Sequence, residues 1–398
     1  MFAGIQRLLA TIAFFCATIL VFMPPALAYS AVSDDTLKSI PRPYHDFDIK
    51  DGAILAPILR PRVPGTEGSR AVLQHFVQFF KKELPGWKLE FQNSTSKTPT
   101  SNGKDVPFSN LIASRDPPGA GIGDVRRLTL VAHYDSKLEP AGFIGATDSA
   151  APCAIILHAV RSIDAALTRK WNSMKDDPSG LSFLDEHQGI QVFLLDGEEA
   201  FASWTDDDSL YGSRALAEAM EEEIYPAMSV NKSPIRAISL FVLLDLLGSK
   251  DPTVRSYFKT THWAYQKLAL LESRLRGLGL LKSSPAKKPA GRSEDPNAKD
   301  NPWFVDAQKK DNIFGSGITD DHVPFMDRGV DILHVIPMPF PVVWHTIDDD
   351  AEHLDIDTVE DWSTIISAFI LEWLELDEAF AAVKKPADSK GGTQKTEL

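Results

Sequence analysis

Short apolar runs alternate along this chain with longer stretches whose apolar residues return every three or four positions. The runs are Leu128-Thr-Leu-Val-Ala132, Ile190-Gln-Val-Phe-Leu-Leu195, Leu240-Phe-Val-Leu-Leu244 and Ile332-Leu-His-Val-Ile336. Near-continuous apolar runs of that length predict strands in a sheet covered on both faces. Helices are predicted over Ala151–Ala166, Ser213–Glu223 and Tyr257–Arg276, with Gly277 as a stop. Two more are predicted over Glu67–Leu84, ahead of the first run, and Val359–Phe380, closing the body. Strand–helix alternation predicts an α/β fold with a mostly parallel sheet.

The two ends read differently from the body. Arg7, the charge-free run Leu8 to Met23 and Ala26-Leu27-Ala28 predict a secretory signal over residues 1–28, with an uncleaved signal anchor as the alternative. With cleavage, stable membrane insertion is not expected. Lys395-Thr-Glu-Leu398 departs at one position from the Lys-Asp-Glu-Leu retention address. A secreted protein, or one retained in the endoplasmic reticulum, is therefore expected. Residues 384–398 predict a disordered tail, and 283–301, rich in Lys, Pro, Ser and Asp, a surface insertion. Residues 29–383 then form a single catalytic domain.

Composition narrows the class. Of 398 residues, 43% are hydrophobic and 24% charged, which excludes a disordered or fibrous chain. A net charge of −14 argues against a nucleic-acid partner and suits one with positive charge, such as a free amine. Of the two cysteines, Cys16 lies in the signal, so Cys153 is left without an internal partner. Asn93-Ser-Thr95 is a glycosylation acceptor in a polar stretch, and Asn231-Lys-Ser233 a second, weakened by Pro234.

In open α/β sheets ligands bind beyond the carboxyl ends of the strands. The first run is followed by His133-Tyr-Asp-Ser-Lys137 and Gly145-Ala-Thr-Asp-Ser-Ala150, the second by Asp196-Gly-Glu-Glu199, the third by Asp245. Near the fourth lie Asp320-Asp-His322 and Trp344-His345. Carboxylates and imidazoles at every strand end suit zinc, for which three protein ligands and an open position make a catalytic site. Asp148, Glu199 and His345 are the chosen ligands. Adjacent side chains diverge, so Glu198 is left free beside the metal as a general base.

These segments, with Asp208-Ser-Leu-Tyr-Gly-Ser-Arg214, Leu244-Asp-Leu-Leu-Gly248, Asp320-Asp-His-x-Pro-Phe325 and Phe340-Pro-x-x-Trp-His-Thr346, resemble the glutaminyl-peptide cyclotransferases, in order from about Pro61 to Leu374. The resemblance implies a zinc aminopeptidase-like fold: three α/β/α layers, a central mixed, mostly parallel sheet flanked by helices. It implies one zinc per chain on Asp148, Glu199 and His345, with Glu198 moving protons. Asp245 and Asp320 would support the reacting groups, His334 would lie near Asp320, and Trp204, Phe340 and Trp344 would wall the substrate pocket. Secreted animal members carry a Cys where this chain has Ala132. Cys153 is thus expected to be a buried free thiol.

The substrate so implied is a peptide or protein with N-terminal Gln, possibly Glu, converted by a monomer to a pyroglutamyl product. Blander roles stay open for several residues. Trp204 and Trp344 could be core aromatics and His334 a core histidine. His322 reads as a structural loop residue, Lys137 as a surface charge, and Asp348-Asp-Asp350 as a solvated turn and helix cap. Two rival functions remain. His133, Asp148, Glu199, Asp245 and His345 are also the ligand types of a two-metal aminopeptidase. An inactive, aminopeptidase-like binding ectodomain is the other, although none of the proposed ligands is missing.

Overall fold

The structure, a computed structural model, describes residues 31–175, 188–283, 302–310 and 317–381. The expected signal at 1–28, residues 284–301 of the insertion and the tail at 384–398 lie outside the described residues.

Six strands form one sheet in the order β1-β2-β4-β3-β5-β6. They are β1 (Lys88–Lys97), β2 (Asp105–Arg115), β3 (Arg126–His133), β4 (Gln188–Leu195), β5 (Ile238–Leu244) and β6 (Ile332–Val335). β3 runs parallel to β4 and β5, and β5 parallel to β6. The β1–β2 pair and the β2–β4 pair are antiparallel, so the sheet is mixed. The four apolar runs are the parallel strands. Their side chains alternate between two separate cores, as a period of two requires. Leu128, Leu130, Val192, Leu194, Val242 and Leu244 face one core. Val131, Phe193, Leu195, Phe241 and Leu243 face the other.

Helices cover both faces. On the first core lie α2 (Glu67–Glu83), α3 (Ala151–Lys175), α5 (His262–Gly277) and α7 (Ile356–Trp373). On the second lie α4 (Tyr211–Glu222) and the short α6 (Val323–Met326). Two further short helices, α1 (Asp34–Ser39) and α8 (Asp377–Ala381), join where Asp377 accepts from the Ser33 backbone and hydroxyl. The stretch Ala146–Met174 is long and apolar enough to cross a membrane, but 78% of its most apolar window is buried in the protein. It is a core helix.

Several expectations are corrected. β1 and β2 stand between α2 and the first predicted strand. Gly277 is the last residue of α5 rather than its stop, and the left-handed turn falls at Gly279, φ +67°. The predicted closing helix is broken after Trp373, where Glu375 takes φ +50°. Asn93 is exposed on β1, whereas Asn231 is 8% exposed and its amide nitrogen donates to the Gly123 and Val125 carbonyls. Cys153 is a free, buried thiol, as expected, and burial pushes its pKa up to about 12.

Candidate active site

The chemistry-bearing side chains gather beyond the carboxyl ends of β3, β4, β5 and β6. Glu198 and Glu199 follow β4 on a turn made by Gly197, φ +76°. A Cβ at Gly197 would run into the Phe108 ring, so the turn admits only glycine. Asp135, fully buried after β3, fixes both glutamates through their backbones: it accepts from Glu198 N at 3.0 Å and Glu199 N at 3.1 Å. Neighbouring amides are thus tied to one carboxylate while the two side chains diverge.

Asp148 is held by a buried cation. Arg62 is 0% exposed and donates to the carbonyls of Tyr134, Ile144, Gly145 (2.8 Å) and Asp148 (3.4 Å). A guanidinium removed from water survives because every edge finds an acceptor. His345 sits in the loop after β6 with φ +58°, a left-handed backbone that favours glycine.

The three expected ligands meet. His345 Nε2 lies 3.4 Å from Asp148 Oδ2 and 3.6 Å from Glu199 Oε2. Glu199 Oε1 is buried with no hydrogen-bond partner. An unpaired buried carboxylate oxygen is costly, and a cation would relieve it. Two carboxylates and an imidazole are also a donor set that zinc accepts. A second group overlaps the first: His133 Nε2 is 3.0 Å from Asp148 Oδ1 and 3.5 Å from Asp245 Oδ1. Asp245 Oδ1 also accepts from the Ser149 hydroxyl and from Leu246 N at 2.9 Å. A third cluster joins Asp320, His322 and His334. There His334 Nε2 is engaged with Asp320 Oδ2 at 2.8 Å, which reads as a hydrogen-bonded pair.

Charge crowding sets the protonation states. Burial pushes Glu198 up, His133 pulls it back, and Glu199, Asp320 and Asp321 push it further. Glu199 is raised by burial and by Asp148, against the pull of Lys137. Burial would raise Asp148 too, but hydrogen bonds from His133 and His345 outweigh it, and its pKa is lowered. Burial lowers His322 to about 3 and His334 to about 4, so both are neutral imidazoles.

Above the acidic floor opens a cavity of about 600 Å³. Glu198, Asp245 and Asp320 line its base, and Trp204, Phe340 and Trp344 its walls. Trp344 stacks on His345 with centroids 3.9 Å apart, and Phe340 meets Trp344 edge-on at 4.7 Å. Trp204, on the loop that Asp208 shapes by accepting from the amides of Phe201, Ala202 and Ser203, donates its indole N–H to Thr319 Oγ1 at 2.8 Å. At 40% and 37% exposed, Trp204 and Trp344 are not core aromatics.

All ten site residues expected from the sequence therefore fall in one place. Two readings change. Lys137 is no free surface charge: its Nζ lies 3.1 Å from Glu199 Oε2. Asp349 is 1% exposed rather than solvated, although Asp350 does cap a helical turn as expected. His322 is buried beside His334, ring centroids 4.7 Å apart. Sequence reasoning missed Asp135, Arg62, Ser149 and Asp208. The first was visible in the His-Tyr-Asp-Ser motif; nothing in the sequence marks Arg62.

Fold and site together define an α/β enzyme with a candidate metal site, built on the fold of the exopeptidases. Residues 110–370 match the model of peptidase family M28. The chain is 39% identical over 327 residues to a glutaminyl-peptide cyclotransferase of Bothrops jararaca, covering 81% of this chain and 80% of that one. Glutaminyl cyclase of Macrostomum lignano superposes with a TM-score of 0.68 at 28% identity, over 88% of this chain and 96% of its own. A Zn-dependent exopeptidase of Parabacteroides distasonis, at 21% identity and TM-score 0.55 over 83% and 99% of the two chains, shares the fold. The chain belongs to peptidase family M28 and, within it, to the glutaminyl-peptide cyclotransferases.

Proposed function

We propose that this chain is a zinc-dependent glutaminyl-peptide cyclotransferase, converting the N-terminal Gln of peptides and proteins to pyroglutamate with release of ammonia. The observation that carries the reading is the meeting of Asp148, Glu199 and His345 beside a buried Glu198 that lines the cavity. These three residues would hold one zinc, which when bound supplies a Lewis acid for the γ-amide carbonyl.

The chain's own groups do the rest. Trp204, Phe340 and Trp344 hold the Gln side chain folded toward its own amine, and proximity supplies several kcal/mol of the barrier. The α-nitrogen attacks Cδ, the N–Cδ bond forms, and Glu198 takes the proton that nitrogen loses. The Cδ–Nε2 bond then breaks, and Glu198 returns the proton to the departing ammonia. No water is consumed. A carboxylate with a raised pKa suits a group that must both accept and donate. Asp320, backed by His334, and Asp245 face the same space and support the substrate amine and amide by hydrogen bonding.

The aminopeptidase reading retains one supporting observation, the His133–Asp148–Asp245 group. Against it, Asp245 Oδ1 is already used by the Ser149 hydroxyl and the Leu246 amide. Mass spectrometry of a Gln-initiated peptide, with and without a chelator, separates the readings. Metal-dependent loss of ammonia at one zinc per chain is expected, whereas release of the first amino acid would establish the rival. Residues 1–28 support passage through the secretory pathway, and the secreted chain is expected to begin at Tyr29.

A further inference from the structure

Two of the ligands sit on segments that the sheet does not join. Asp148 lies in the turn after β3 and His345 in the loop after β6, and β5 separates those strands. One residue bridges the segments. The carbonyl of Asp349 accepts from Ala146 N at 3.1 Å, and its carboxylate Oδ1 accepts from Thr147 N at 2.7 Å. On its own side, Asp349 N donates to Thr346 O at 3.1 Å, closing the turn that starts directly after His345. A continuous path of backbone and carboxylate hydrogen bonds therefore runs from one ligand to the other.

Asp349 is also placed where general stability would not put an acid. It is 1% exposed, and its Oδ2 is buried without a hydrogen-bond partner. What holds the carboxylate there is Oδ1: without it the Thr147 amide would lose its acceptor. Arg62 holds the opposite side of the same turn through Gly145 O at 2.8 Å, and its charge acts on Asp349. The Asp148 turn is gripped from both sides, and among the described residues the backbone hydrogen bonds on the His345 side of the grip come from Asp349.

We propose that Asp349 is a positioning residue that sets the spacing of Asp148 and His345 and, through it, the affinity of the site for its metal. This rests on the reading that Asp148, Glu199 and His345 hold zinc. The test is competition for zinc between the full chain and a chromophoric chelator, with melting of the metal-free proteins alongside.

Asp349→Ala is expected to weaken zinc binding about 10–100-fold, the usual cost of removing a group that orients a ligand. Asp349→Asn keeps an Oδ1 acceptor in the same shape, and recovery to within about threefold of the original is expected on that ground. Asp350→Ala removes only the neighbouring cap and should bind zinc as the unaltered chain does. Asp349→Ala within about twofold of the original, well short of that cost, overturns the proposal. So does equal weakening by Asp350→Ala, which would mean a loosened turn. Hydrogen exchange in the unaltered, metal-free chain serves if the alanine variant does not fold: slow exchange at the Ala146 and Thr147 amides is expected, and fast exchange refutes the bridge. Failure of the unaltered chain to bind zinc removes the metal reading and this proposal with it.

Discussion

At the scale of single residues, the site depends on two adjacent glutamates doing different work. Their amides share Asp135, so their backbones are fixed alike and only side-chain direction separates them. Glu199 points to His345 and Lys137, while Glu198 points into the cavity among Asp320 and Asp321. Glu198→Gln keeps the size and removes the proton acceptor. It should lower kcat for ammonia release by about 100- to 10,000-fold, the range of a general base. Zinc content should stay that of the unaltered chain, because Glu198 is outside the ligand set. Normal turnover by this variant would take the base assignment away, and lost zinc would make Glu198 a ligand.

At the scale of elements, the strands that position the site were legible because both of their faces are covered. Each parallel strand reads as an apolar run, and chemistry-bearing residues stand at its end. β1 was not legible: Glu90-Phe-Gln-Asn-Ser-Thr-Ser96 lies at the sheet edge with residues only exposed or half-buried, so nothing forces an apolar run. The ligands were legible through their motifs, and the residues that hold them were not. Asp349 and Arg62 act on backbone amides and carbonyls, which every residue has and no sequence marks. An acid in an Asp triplet looks the same whether it caps a turn, as Asp350 does, or is buried, as Asp349 is.

One turn between strand and site can be tested directly. Gly197→Ala forces a left-handed backbone on a residue with a Cβ, costing about 1–2 kcal/mol before any contact is counted. The Cβ also meets the Phe108 ring. Displacing Glu198 and Glu199 by even about 1 Å costs on the order of 100-fold in rate. Lower stability in urea and a fall in kcat/KM of at least that order are expected together. A fully active, equally stable variant would mean that the turn adapts and that Gly197 does not set the geometry.

At the scale of the whole molecule, the fold concentrates buried acids at one end of the sheet, and this fixes how stability varies with pH. Burial raises Glu198, Glu199 and Asp321 well above ordinary carboxylates, and burial with Asp148 nearby lifts Asp349 to about 7. For a group whose pKa is higher folded than unfolded, the folded state binds the extra proton. Its contribution is complete below the unfolded pKa and is lost as pH rises through the folded value. Without metal, lowering the pH from about 8 to about 6.5 should therefore raise the melting temperature. The range stops there because neutral His322 and His334, with pKa values of about 3 and 4, pull the other way once an unfolded histidine, near 6.5, takes up protons. A bound cation replaces those protons. Zinc at about 100 times its dissociation constant adds roughly 2.7 kcal/mol, and it should flatten the pH dependence as well as raise the midpoint. Scanning calorimetry with chelator and with zinc measures both. A metal-free chain whose midpoint rises toward pH 8 would mean that the acids are already neutralised from within, and that the end of the sheet is not built around a cation.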